Sequence, residues 1–268
     1  MTLSTLYPMK SYIPLLLVLL LLVSCVRVPI TNRRQVNLIG EQQLIEMAEL
    51  QYAAFKDSVI VLPLSNTQAK RVKRIGDRIK KSVVDFLTEK GHENRVEGFK
   101  WEFITVENEQ LNAWCMPGGK VCFYTGILDI MDSDDEIAVV MGHEIAHAIA
   151  RHGNERMSQQ LTLAGLSGLA SSGAADSTQS VSIYRSVFMG SATLGMLKFS
   201  RIHESESDKL GLVFMKLAGY NPQKAIGFWE KMAAQGGSVP EILSTHPSDE
   251  RRINDIKAFL KNINDYLN

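Results

Sequence analysis

The five residues His143-Glu144-Ile145-Ala146-His147 constrain this chain more than any other stretch. They sit in a run of helical character, with Glu136-Ile137-Ala138-Val139-Val140 before them and Ala148-Ile149 after. On a helix, positions i and i+4 lie about 40° apart on one face, so His143 and His147 can grip one metal ion together. Neutral imidazoles at that spacing suit zinc. Glu144 projects beside the open coordination position, where it can take a proton from an activated water. A buried helix has little other use for two histidines and a glutamate, because unpaired polar groups in a core are costly. Such a site needs a third protein ligand from elsewhere in the chain.

The 268 residues carry 29 basic and 29 acidic side chains, and 45% are hydrophobic. That is ample for one globular domain, and the balanced charge gives no sign of a nucleic-acid partner. Ile13–Val23 is an unbroken apolar run of 11 residues that follows Lys10. It is too short to cross a bilayer as a helix and has the shape of a signal-peptide core. Leu22-Val23-Ser24-Cys25 closes it and resembles a bacterial lipobox. The resemblance implies cleavage before Cys25, lipidation of Cys25 and an acyl anchor. An ordinary secretory signal with a stray cysteine is the alternative. Val26 stands where an inner-membrane retention signal carries Asp, which points to the outer membrane, facing the periplasm. The chain then divides into a signal peptide over 1–24, a lipidated tether over 25–39 and one domain over 40–268. The tether reads as polar and irregular, with a reach of at most ~45–50 Å.

Within the domain, Gly40–Lys56 and Asn66–Lys90 read as amphipathic helices, the second ending at Gly91. This second helix carries Lys70, Arg71, Lys73, Arg74, Arg78, Lys80 and Lys81. The stripe suits either a solvated face or docking on anionic lipid. Trp101–Val106 alternates as a strand. A strand pair follows around Asn112–Cys115 and Val121–Tyr124, turned by Pro117-Gly118-Gly119. Register across that turn decides whether Cys115 and Cys122 can form a disulfide. Ser133-Asp134-Asp135-Glu136 marks the start of the metal-binding helix. Residues 158–182 are rich in Gly, Ala and Ser and read as two helical pieces with a loose joint. Val181–Phe199 then reads as a core or lid helix.

Phe199 to Met215 is again helical, ending at Gly219 with Pro222 beyond. Glu204 and Asp208 are i and i+4 and share a face, whereas Glu206 points elsewhere. One carboxylate can complete a two-histidine, one-carboxylate zinc site, and the other can hold a ligating histidine through its second ring nitrogen. His152, just past the first motif, reads as a local structural or capping residue. His203 reads as facing solvent or supporting a ligand.

In combination these motifs resemble the gluzincin metallopeptidases of the HtpX, Ste and Oma type, from about Ile104 to Arg252. Asn112-Ala113 with Pro117-Gly118-Gly119 resembles the family's substrate-side strand, and Tyr124-Thr125-Gly126 the turn after it. Ser244-Thr245-His246-Pro247-Ser248, with Arg252 beyond, resembles its C-terminal T-H-P element. Ser207 departs from the alanine usual there. A metzincin is excluded, since position 150 is Ala and position 153 is Gly. The resemblance implies one Zn2+ per chain held by His143, His147 and Glu204, with Asp208 beside a ligating histidine and Glu144 as catalytic base. Substrate contacts would fall on Asn112, Ala113, Gly118 and Gly119. His246 is a further catalytic candidate, as a self-inhibitory switch at the metal's fourth position or as a stabiliser of the tetrahedral intermediate. Simple capping of the final helix is its remaining reading.

The expected fold is α+β, a mostly helical zincin-type domain with a small antiparallel sheet beside the H-E-x-x-H helix. An extended peptide could add to the sheet's edge as an extra strand. The implied role is that of a lipid-anchored zinc endopeptidase of the bacterial cell envelope. It would hydrolyse unfolded or misfolded envelope proteins, those of the outer membrane among them. The alternative is an envelope chaperone or assembly factor with a latent site switched by His246.

Overall fold

The computed structural model describes residues 25–172, 199–234, 242, 246 and 250–267. The signal segment 1–24, the Gly/Ala/Ser-rich stretch beyond 172, the apolar segment 181–198 and Ser244, Thr245, Pro247 and Ser248 lie outside the described residues.

Strands β1 (Cys25–Arg27) and β2 (Arg34–Val36) form an antiparallel hairpin. Helices α1 (Glu41–Ser58) and α2 (Thr67–Glu89) follow, then β3 (Glu102–Val106), β4 (Ala113–Met116) and β5 (Lys120–Tyr124). Next come the short α3 (Thr125–Asp129), then α4 (Asp134–Ile149), α5 (His152–Ser172), α6 (Arg201–Leu217), α7 (Lys224–Ala233) and α8 (Glu250–Lys261).

Local sequence explains the boundaries. Asn66 caps α2 by accepting hydrogen bonds from the amides of Gln68 and Ala69. Val72, Ile75, Ile79, Val83 and Phe86 then bury one face at helical spacing. The basic stripe on the opposite face is largely ion-paired. Arg71 and Arg74 reach Asp134 at 2.5 and 2.6 Å, Lys73 pairs with Asp77, and Lys81 with Asp85. Ser133 caps α4 by accepting from the Glu136 amide at 3.3 Å, and Asp134, Asp135 and Glu136 complement the helix dipole in its first turn. The helix stops at Arg151, whose φ of 58° lies in the left-handed region and turns the chain into α5.

The three-stranded sheet has the order β3-β5-β4, with β4 antiparallel and β3 parallel to β5. It is therefore mixed rather than antiparallel. The β4–β5 hairpin inserts β5 between its two neighbours, so β5 runs along β3. One face carries Phe103, Val121 and Phe123 into the core shared with α2, α4 and α6. The other carries Ile104, Trp114, Met116, Cys122 and Tyr124 against Leu44, Ala48 and Tyr52 of α1. The register pairs Trp114 with Cys122 and Cys115 with Val121. Opposed residues of an antiparallel pair share a face and neighbours alternate, so the two cysteines point to opposite sides and remain free thiols.

The segment read as an irregular tether folds back onto the domain instead. Val28 is 1% exposed, Gln35 and Ile39 are buried, and Arg95 donates to the carbonyl of Arg27. Among the described residues no helix is long and apolar enough to cross a membrane.

Helices α4 and α6 cross at Gly142 and Gly211. A Cβ on Gly142 would lie 2.7 Å from the Gly211 carbonyl oxygen, and a Cβ on Gly211 would lie 2.7 Å from the His143 amide nitrogen. The contact is backbone on backbone, so nothing flexible can give way. Gly211→Ala is expected to destabilise the fold by about 1–3 kcal/mol and to weaken metal binding. Denaturant unfolding and zinc titration of the variant check this, and wild-type values in both would contradict the crossing as described.

Candidate metal centre

The tight crossing brings one face of α4 against one face of α6. His143 and His147 present their Nε2 atoms 3.1 Å apart. From α6, Glu204 places Oε2 3.4 Å from His143 Nε2 and Oε1 3.4 Å from His147 Nε2. His246 closes the cluster, with Nδ1 3.2 Å from His143 Nε2 and 3.0 Å from Glu204 Oε1. Its own amide donates to the Ile242 carbonyl at 2.7 Å, and the Ile242 amide donates to the Leu111 carbonyl at 3.1 Å, which ties His246 through Ile242 to the chain just before β4. The ligand atoms of the four side chains lie within 4.8 Å of one another. Zinc bonds of about 2.0–2.2 Å set tetrahedral edges of roughly 3.3–3.6 Å, close to the five pairwise separations of 3.0–3.4 Å. Three imidazole nitrogens and a carboxylate aimed at one point form a donor set that fits a single zinc ion.

Each α4 histidine is held from behind. His143 Nδ1 meets Asp208 Oδ1 at 2.9 Å. Arg252 of α8 clamps that carboxylate, Nε to Oδ2 at 2.7 Å and Nη2 to Oδ1 at 2.8 Å, while its guanidinium lies 3.7 Å over the Trp229 ring. Arg252 Nη1 is also 3.1 Å from Glu204 Oε2. Glu204 and Asp208 are thus brought to one face, as their spacing predicts. Burial alone would raise both carboxyls, but His246 and Arg252 for Glu204, and Arg252 for Asp208, hold them below the usual range. His147 Nδ1 instead meets His152 Nδ1 at 2.9 Å. His152 Nε2 is 3.0 Å from Glu206 Oε2, and the Ser207 hydroxyl lies 3.2 Å from His152 Nδ1. Desolvation lowers the pKa of His152 to about 4, so this imidazole is neutral. His152 thus holds a structural place behind His147 and is not in the group of side chains that could hold the metal, and His203 faces the interior, with Nε2 3.2 Å from Glu155. Phe199 stacks on His147 with ring centroids 3.9 Å apart.

Glu144 lies beside the donor set. Its Oε1 is buried without a hydrogen-bond partner among the described residues and sits 3.5 Å from His246 Nε2. Burial raises its pKa against the pull of His246 and His143, which moves the carboxyl toward the range a general base requires. The centre is closed: His143, Glu144, His147 and Glu204 are each 2% exposed and His246 1%. Asn112 and Ala113 are buried at the start of β4, the strand at one edge of the sheet. Gly118 and Gly119 form the hairpin turn at φ 85° and 80°, and their carbonyls accept from the amides of Lys100 and Glu102.

In the metal-free cluster burial pulls the His143 pKa down, but Asp208 and Glu204 hold it up, at about 9. Zinc must displace that proton, so affinity is expected to rise about tenfold per pH unit between 6.5 and about 9. Chelator competition across that range checks the slope; a flat profile would contradict it.

Comparison with known proteins agrees with this geometry. A sequence profile of Peptidase family M48 matches residues 66–260. The chain is 36% identical over 165 residues to the mitochondrial metalloendopeptidase OMA1 of Arabidopsis thaliana, covering 59% of this chain and 31% of that one. It is 32% identical over 238 residues to the mitochondrial metalloendopeptidase OMA1 of Schizosaccharomyces pombe, covering 87% of this chain and 66% of the relative. To the beta-barrel assembly-enhancing protease of Escherichia coli strain K12 it is 30% identical over 173 residues, 62% of this chain and 35% of the relative. The matched regions thus span between 31% and 66% of the length of these relatives. With the profile covering the H-E-x-x-H helix, the Glu204 helix and His246, the chain belongs to Peptidase family M48.

Proposed function

We propose that this chain is a zinc endopeptidase of the bacterial cell envelope, lipid-anchored at Cys25. It would hydrolyse unfolded or misassembled envelope proteins, with those of the outer membrane as its main clients. The observation that carries the peptidase reading is Glu144, a buried carboxylate whose Oε1 makes no hydrogen bond among the described residues, beside four side chains that could hold one metal ion. His143, His147 and Glu204 would hold the ion, and Asp208 would fix the His143 ring. Bound there, zinc supplies a Lewis acid that polarises the scissile carbonyl and lowers the pKa of water. Glu144 takes the water proton and returns it to the leaving amine. An extended substrate would lie along the β4 edge from Asn112 and Ala113 toward the hairpin turn at Gly118 and Gly119. Unfolded segments suit such an edge, because a folded protein offers no free strand. The lipobox at Cys25, and the E. coli relative's printed role in beta-barrel assembly, support the envelope setting.

A second reading has a specific observation behind it. His246 Nδ1 completes the donor set, and the whole centre is at most 2% exposed. With its fourth position occupied, the site is latent, and the protein would act as a chaperone or assembly factor until His246 withdraws.

One experiment separates these readings. A form beginning at residue 25 with Cys25→Ser, loaded with zinc, is offered unfolded casein beside Glu144→Gln and His246→Ala. The peptidase reading expects cleavage that falls about a hundredfold to ten-thousandfold in Glu144→Gln. Latency expects little cleavage by the wild type and a rise in His246→Ala. Absence of zinc-dependent cleavage in both wild type and His246→Ala would rule out the peptidase reading.

A further inference from the structure

His147 is oriented by a longer chain of contacts than His143, and that chain ends outside the region matching the family. To ligate through Nε2, neutral His147 must carry its proton on Nδ1. That proton points at His152 Nδ1, 2.9 Å away, which must therefore accept it. The proton of neutral His152 is then on Nε2, aimed at Glu206 Oε2 at 3.0 Å. Glu206 is held in turn by the β1–β2 hairpin. Arg33 Nε donates to Glu206 Oε2 at 2.8 Å, and the Thr31 hydroxyl donates to Glu206 Oε1. The other end of the same guanidinium grips Glu155, Nη1 to Oε1 at 2.8 Å and Nη2 to Oε2 at 2.7 Å. One arginine thus separates two buried carboxylates that would otherwise repel. Its planar fork supplies all three contacts, which a lysine cannot reproduce.

We propose that Arg33 and Thr31 are positioning residues of the metal centre, acting on His147 through Glu206 and His152. The proposal rests on the reading that the cluster holds zinc. The hairpin residues 25–36 then belong to the site, although the family match begins only at residue 66. The arrangement mirrors the support of His143, where the terminal arginine is Arg252 of the last long helix. A misplaced His152 would let the His147 ring rotate and lose its aim at the metal.

The test measures zinc affinity of the full-length chain by chelator competition, together with the visible absorption of the cobalt-substituted protein. The variants are Arg33→Ala, Arg33→Lys, Glu206→Gln and the Arg33→Ala/Glu206→Gln double, with Lys81→Ala as control. Lys81 is a 77% exposed side chain on α2 and lies outside this network. Arg33→Ala and Glu206→Gln are each expected to lose about tenfold or more in affinity, with a shifted cobalt band. Because the residues act in series, the double variant should match the weaker single within about twofold. Arg33→Lys should lose affinity too while its circular dichroism stays native, which keeps the test decisive if Arg33→Ala misfolds. Wild-type affinity and cobalt spectrum in natively folded Arg33→Ala or Arg33→Lys would overturn the proposal, as would losses that multiply in the double variant. If the wild type binds no zinc, the site reading itself fails, which is a different result.

Discussion

The backbone contact between Gly142 and Gly211 is the constraint on which the metal centre depends. With side chains at either position, α4 and α6 would separate, and Glu204 would no longer lie 3.4 Å from both histidines. The crossing concentrates His143, Glu144, His147, Glu204 and Asp208 in a buried volume where charges are expensive to desolvate. The fold offsets that cost with arginines. Arg252 sits between Glu204 and Asp208, and Arg33 sits between Glu155 and Glu206. A cation among the three converging imidazole nitrogens completes the same balance.

The two supporting arms reach the centre from opposite ends of the chain. The C-terminal arm is short, a single carboxylate clamped by Arg252 stacked on Trp229. The N-terminal arm is longer and passes through a second imidazole before its carboxylate. On the proposed reading, the closed state carries a consequence for function. Among the described residues, His246 lies 3.5 Å from Glu144 and the Phe199 ring lies on His147, so both stand beside the atoms a peptide must reach.

Much of the centre was legible because helical spacing encodes geometry. The i, i+4 intervals of His143 with His147 and of Glu204 with Asp208 specify shared faces without any knowledge of tertiary structure. The caps at Asn66 and Ser133 and the turn at Gly118-Gly119 were equally local. What escaped depends on contacts distant in sequence. His152 returns to His147 only because Arg151 adopts a left-handed φ, which an arginine does not advertise. The parallel pairing of β3 with β5 follows from strand order, which periodicity does not report. The hairpin at residues 25–36 looked like a polar linker because much of its attachment is polar, through Gln35 and through Arg33, whose two partners lie 122 and 173 positions away. The free cysteines turned on a register that composition cannot supply.

The most direct test of the account is X-ray absorption spectroscopy at the zinc edge of the purified, zinc-loaded protein. Ligation by His143, His147, His246 and Glu204 predicts one four-coordinate zinc with three imidazoles and one carboxylate oxygen, falling to two imidazoles in His246→Ala. An imidazole count unchanged by His246→Ala would contradict the latent state, and a sulfur ligand or the absence of a carboxylate oxygen would contradict the geometry on which the mechanism rests.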